Sequence, residues 1–245
     1  MIRAELLKLR RRRPAMILVA VLTGGAVLAF QAYTQLRHGS HPQEVGPVGG
    51  EAGMGELLKM QGLYFGAIAS ILIGTEAATA DLAAGVFRDL VATGRSRLAL
   101  FWVRLPAALI ISLAFTIMAY ALGVAGLFAY ADGLATPTVG QIVEGLGWVL
   151  LANAAITALA LGVGSVTGSR ALTLTGLIGW QTIGSQLIIH DVPNPTFLLN
   201  VGLSAAAPLQ LVPVQIGTAA AVVVIAGWTA IPTLAGAWRT SRQDA

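Results

Sequence analysis

Few residue types in this chain can do covalent chemistry. Cysteine is absent and histidine occurs three times, which removes thiolate nucleophiles, disulfides and thiolate metal sites. His38 and His41 stand at a spacing that could share a metal, but no third ligand lies near them in a solvated segment. The run Gly162-Val163-Gly164-Ser165 offers a serine, and His190 is the histidine nearest to it in the chain. A general base must come within about 3 Å of its nucleophile. Hydropathy places Ser165 and His190 at opposite ends of the bilayer, so intramembrane serine hydrolysis is excluded. Glu76 is the one charge inside an apolar segment. It stands near the basic end, where pairing with Arg88, Arg97 or Arg104 is expected in place of proton carriage. Three neutral polar pairs fall at i, i+4: Gln181 with Ser185, Thr182 with Gln186, and Asn153 with Thr157. Such stripes serve interhelical hydrogen bonding, worth about 0.6 kcal/mol per bond, or they line a solute path.

The elements that must position these groups follow from hydropathy. The chain of 245 residues is 56% hydrophobic and 11% charged, against roughly 25% charged in soluble proteins, and its mean hydropathy is +0.77. A span needs roughly 20 apolar residues. Six segments qualify: 14–36, 61–80, 105–131, 145–169, 171–189 and 214–238. The first exceeds the roughly 7–15 residues of a signal-peptide core and is expected to be retained. Residues 37–59 form a Gly- and Pro-rich outer loop. Residues 192–212 are apolar but broken by Pro193, Pro195 and Pro208, as in an outer re-entrant segment. The expected fold is an all-α membrane protein of six transmembrane helices in one domain, with no soluble domain.

The charges give the orientation. Thirteen of the 15 Lys and Arg fall on one side of these spans, and only Arg37 and Lys59 fall opposite. Short basic loops stay cytoplasmic, so both termini are expected inside. The inner segments carry net +8 and the outer ones net −4, which accounts for the overall +4. A pI near 10.0 therefore reflects topology and not nucleic-acid binding. Two inner segments look like more than topogenic charge. Residues 1–13 carry Ile2, Leu6 and Leu9 on one side and Arg3, Lys8, Arg10 and Arg11 on the other, the pattern of an interfacial amphipathic helix ending at Pro14. Residues 81–100 can form a second, with Asp81 as its cap, Gly85 allowing close approach, and Ala83, Val86, Phe87 and Leu90 along one face. Thr93-Gly94 ends it and Ser96-Arg97 opens the third span. The pairs Gly62–Gly66 and Gly164–Gly168 have the spacing of helix-packing motifs.

One family shares this arrangement. A basic AELLKLRRRRP start, a second span ending in an acidic residue, and the pattern formed by Gly85, Arg88, Leu90, Thr93, Ser96 and Arg97 before Arg104 resemble the permease subunit of bacterial type-2 ABC transporters, in the drug and antibiotic exporter branch. The resemblance implies a coupling helix formed by Asp81, Gly85, Phe87, Arg88, Leu90 and Arg97. It also implies a dimeric permease with Tyr64, Gln181 and Ser185 lining the pathway, in the bacterial plasma membrane. The sequence has no GxxxxGK[ST] phosphate loop. No cofactor is expected in this chain, and ATP and Mg would be bound by a separate P-loop ATPase. An amphipathic or hydrophobic substrate suits spans so poor in charge. A secondary transporter and a non-transport membrane anchor are the alternatives.

Overall fold

The computed structural model describes residues 1–85, 94, 96–184 and 218–242. Among them the chain is helical, and five helices are long and apolar enough to cross a membrane. That is the make-up of a helical membrane protein. A short helix α1 (Ile2–Arg11) precedes the first long one, α2 (Arg13–Ser40). Arg12 separates them at φ −79°, ψ 66°, because Pro14 cannot donate to the preceding turn and disfavours helical backbone just before it. Helix α3 (Glu51–Ala83) returns, α4 (Arg97–Ala129) and α5 (Val139–Thr167) follow, and α7 (Thr218–Arg242) comes last. Between them α6 (Arg170–Gly179) runs on through Gly184, and the remainder of the predicted span 171–189 lies outside the described residues. So does the predicted re-entrant segment 192–212.

The helices run past the boundaries that hydropathy drew. The third was expected from residue 105 and begins at Arg97, with Ser96 Oγ accepting from Ala99 N–H at 3.2 Å. The second was expected over 61–80, yet it starts at Glu51 and ends at Ala83. Asp81 is therefore a buried residue in its last turn and not the cap of a following helix. An apolar window stops at a charge, whereas a helix continues through one that finds a partner. Gly85, expected to allow close packing, instead leaves α3 at φ 69° with open space around it.

Helices α3 and α5 are the central pair. Of their most apolar stretches 72% is buried, against 28% in α2 and 22% in α7. Close approach depends on glycine, as is common where helices pack without a hydrophobic drive. A Cβ on Gly74 would lie 2.4 Å from Thr157 O, and one on Gly162 would lie 2.4 Å from Pro232 O in α7. The glycine pairs picked by spacing behave differently. Gly164 packs against Ala78, but Gly168 is the left-handed residue closing α5, and Gly62 faces open space. A cluster at one end joins Leu9 of α1 to Val19, Phe101 and Leu161. Gly162→Val should lower the thermal unfolding midpoint of the full chain in detergent, with overpacking costing about 1–3 kcal/mol. Gly147→Val, where nothing lies within 4 Å, should leave the midpoint near wild type.

Candidate functional site: an ion-pair knot at the basic end of the bundle

Two carboxylates in the last turns of α3 gather four cations from three other parts of the chain. Arg12, in the bend between α1 and α2, donates through Nη1 to Glu76 Oε2 at 2.8 Å and through Nη2 to Ala80 O at 3.4 Å. Arg170, the first residue of α6, brings its Nη2 within 2.5 Å of Glu76 Oε1. That second contact is a charge contact without hydrogen-bond alignment. Lys8 Nζ donates to Asp81 Oδ1 and to Glu5 Oε1, both at 2.8 Å. Arg104 of α4 donates to Asp81 Oδ2 at 2.7 Å. Side-chain exposure is 2% for Glu76, 4% for Asp81 and 3% for Arg104. Lys8 and Arg12 are each 34% exposed and Arg170 49%. The core of the knot is thus dry and its rim wet. The C-terminal carbonyls of α3 add partial negative charge at the same place.

The ion pairs of Glu76 among the described residues are with Arg12 and Arg170; of the expected partners, Arg88 lies outside the described residues. Arg104 is taken by Asp81, and Arg12 and Arg170 reach Glu76 because α1 and the start of α6 both come against the end of α3. In α1 the inward side is mixed: Leu6 and buried Leu9 of the expected apolar face pack on the core, with Glu5, Lys8 and Arg12 beside them, while Ile2, expected on the same face, is 41% exposed. Arg3, Leu7, Arg10 and Arg11 point away from the bundle. Of the predicted coupling residues, Asp81 is in the knot, Gly85 ends α3 and Arg97 is half-buried at the start of α4. Phe87, Arg88 and Leu90 lie outside the described residues, as does Ser185.

The middle of the bundle holds neutral polar groups. Hydroxyls and amides are linked by hydrogen bonds across three helices. Thr157 Oγ1 donates to Ser112 Oγ at 2.8 Å, and Ser112 Oγ lies 3.2 Å from Ser70 Oγ. Ser70 then donates to Asn153 Oδ1 at 2.8 Å, and Asn153 Nδ2 donates to Gln61 O at 3.1 Å. Gln61 belongs to a π-helical turn, Met60–Tyr64, whose wide winding leaves carbonyls open to side chains. A second carbonyl of that turn, Leu63 O, accepts from Gln181 Nε2 at 2.8 Å. Gln181 itself sits in a π turn, Trp180–Gly184. The structure thereby brings Tyr64 and Gln181 to neighbouring positions where two widened turns meet.

Sequence reasoning missed Lys8, Arg12 and Arg170 as partners and Gln61, Ser70 and Ser112 as members of the polar chain. A signal for the first group was present, since two carboxylates close to a basic end require counter-charges. Removing one side of the dry pair should be costly. Asp81→Asn should lower the stability of the full chain in detergent by about 3–5 kcal/mol, because it removes the buried negative charge that Arg104 and Lys8 share. Arg170→Gln removes a half-exposed partner while Arg12 remains, so its effect should stay below about 1 kcal/mol. Thermal unfolding of the two variants beside the wild type checks both. Compared with protein-family models and with curated proteins, the chain matches none.

Proposed function

We propose that this chain is the membrane permease subunit of an ABC exporter. It would move an amphipathic or hydrophobic substrate with ATP hydrolysed by a separate P-loop ATPase. The observation that carries the reading is the position of the knot. Lys8, Arg12, Arg104 and Arg170 converge on the last turns of α3, where the segment 81–100 that the family resemblance assigns to coupling begins. A push on that segment would be transmitted at once to α1, α4 and α6, because the same carboxylates hold all three. Buried charge is concentrated at this end, in Glu76, Asp81 and Arg104, whereas the mid-bundle polar groups are neutral and bonded to one another. Such an arrangement suits a subunit driven from one end better than a secondary transporter with ionisable groups at mid-span.

On this reading the basic end and both termini face the bacterial cytoplasm, where the ATPase docks. A second permease copy completes the pathway. Helix α6 leaves Leu172 and Trp180 exposed, 61% and 38%, beside open glycines at 176 and 179, a face suited to another helix. Catalysis, Mg and ATP belong to the partner subunit. The test is co-expression of the full chain with a P-loop ATPase encoded beside it. The two should co-purify, and the pair Phe87→Ala, Arg88→Ala should abolish co-purification while leaving the permease folded in the membrane. Retention of the ATPase by that variant, or the absence of any ATPase partner, would remove the proposal.

A further inference from the structure

A cavity of about 510 Å³ lies at the end of the bundle opposite the knot, between the second half of α2, the connection 41–50 and the start of α3. That volume is in the range of small-molecule sites. Its floor is apolar, with Val27, Leu57 and Met60 buried and Phe30 beside them. Its polar lining consists of the carboxylates of Glu44 and Glu56 at the exposed rim, the Thr34 hydroxyl and the Gln31 amide. Gln31 is 5% exposed; its Nε2 donates to Gly123 O at 2.9 Å, and its Oε1 accepts no hydrogen bond among the described residues. No lysine or arginine is among the described lining residues. Lys59 stands outside the lining and holds one oxygen of Glu56 at 2.7 Å, while Glu44 carries no ion pair among the described residues.

The roof of the cavity is anchored on three sides. His38 Nδ1 lies 2.6 Å from Val45 O. Gly50 N–H donates to Leu127 O at 2.9 Å and Glu51 N–H to Ala135 O at 2.7 Å. Gln141 adds a side-chain bond to Glu51. The connection 41–50 is therefore fixed to α4 and to the α4–α5 link, and the space beneath it is part of the fold.

We infer that this cavity binds an amphiphile with a cationic ammonium head, its apolar tail on Val27, Phe30, Leu57 and Met60 and its head at Glu44 and Glu56. An apolar floor takes up a hydrocarbon tail by burial. The carboxylate rim selects a cation over an anion, since an anion beside Glu44 is repelled and a positive head is attracted to it. The inference rests on the export reading, whose substrate it specifies as a cationic amphiphile. Binding at this cavity, however, requires neither ATP nor a partner.

The absence of cysteine makes a direct test simple. Ala52 is exposed and lines the cavity, and Val139, 77% exposed, does not line it. Full-length Ala52→Cys and Val139→Cys proteins in dodecyl maltoside are labelled with a maleimide in the presence of dodecyltrimethylammonium, dodecanoate or no addition. Saturating dodecyltrimethylammonium should slow labelling of Ala52→Cys by roughly tenfold and leave Val139→Cys unchanged; dodecanoate should protect neither. Adding Glu44→Gln and Glu56→Gln to the Ala52→Cys protein should restore labelling in the presence of the cation. Repeating the unamended measurement in bilayers of phosphatidylethanolamine separates a membrane lipid as the source of the ammonium head from an exported solute. Protection there without addition assigns the site to the lipid, and protection only on adding the cation assigns it to the solute. Equal labelling with and without the cation, or equal protection by dodecanoate, would overturn the inference. Neither result depends on whether an ATPase co-purifies, so the two proposals fail separately.

Discussion

Everything at one end of this bundle is arranged by the need to match two buried carboxylates. Glu76 and Asp81 cannot be left unpaired where the protein is dry, because an uncompensated buried charge costs several kcal/mol. Their position in the last turns of α3 therefore dictates where three other elements go. Arg12 can reach Glu76 only if the chain bends there, and Pro14 ensures that it does. Arg104 can lie inside α4 because Asp81 receives it, so the helix begins two turns before its apolar stretch. The run of N-terminal charge is divided by the same demand. Lys8 and Arg12 are internal struts, and Arg3, Arg10, Arg11 and Arg13 stay on the surface with Leu7. That outward face has the basic make-up of a surface for anionic lipid headgroups.

The centre of the bundle is held by a different logic. Hydrogen bonds connect Thr157, Ser112, Ser70 and Asn153 to a main-chain carbonyl, and the members of such a network strengthen one another. No charge takes part. Glycines at 74 and 162 let the backbones of α3, α5 and α7 approach closely enough for these short side chains to meet. One end is thus pinned by charge, the middle is closed by neutral polar groups, and the far end keeps an open, carboxylate-rimmed cavity.

The helical make-up was legible from hydropathy alone, because runs of charge-free residues near bilayer length have few other uses. The boundaries were less so. A hydropathy window ends at Arg104 or Asp81, but these two charges neutralise each other and the helices continue through both. Which cation meets which carboxylate was not legible. Arg12 and Glu76 are 64 residues apart, and nothing local distinguishes Arg12 from Arg11 or Arg13. The expected pairing of Glu76 with Arg88, Arg97 or Arg104 weighed closeness along the chain, whereas Arg12 reaches it because α1 folds back across the end of α3. Asn153, Thr157 and Gln181 stood out as polar residues at helical spacing. Their partners did not, since Ser70 and Ser112 are single small residues in apolar runs, and Gln61 contributes a carbonyl freed by a turn type that leaves no mark in the sequence.

That turn has a consequence for how α3 is built. A π turn accommodates one residue more than an α turn, and one residue is about 100° of helical rotation. The stretch of α3 before Met60 is therefore out of phase with the stretch after Tyr64 by about a right angle. Glu56 and Leu57 face the cavity while Glu76 and Asp81 face the knot, and neither face is tied to the azimuth of the other. The helix behaves as two segments in series with an angular offset between them. An insertion or deletion of a single residue at 60–64 would re-index the far end against the near one without moving a charge in the knot.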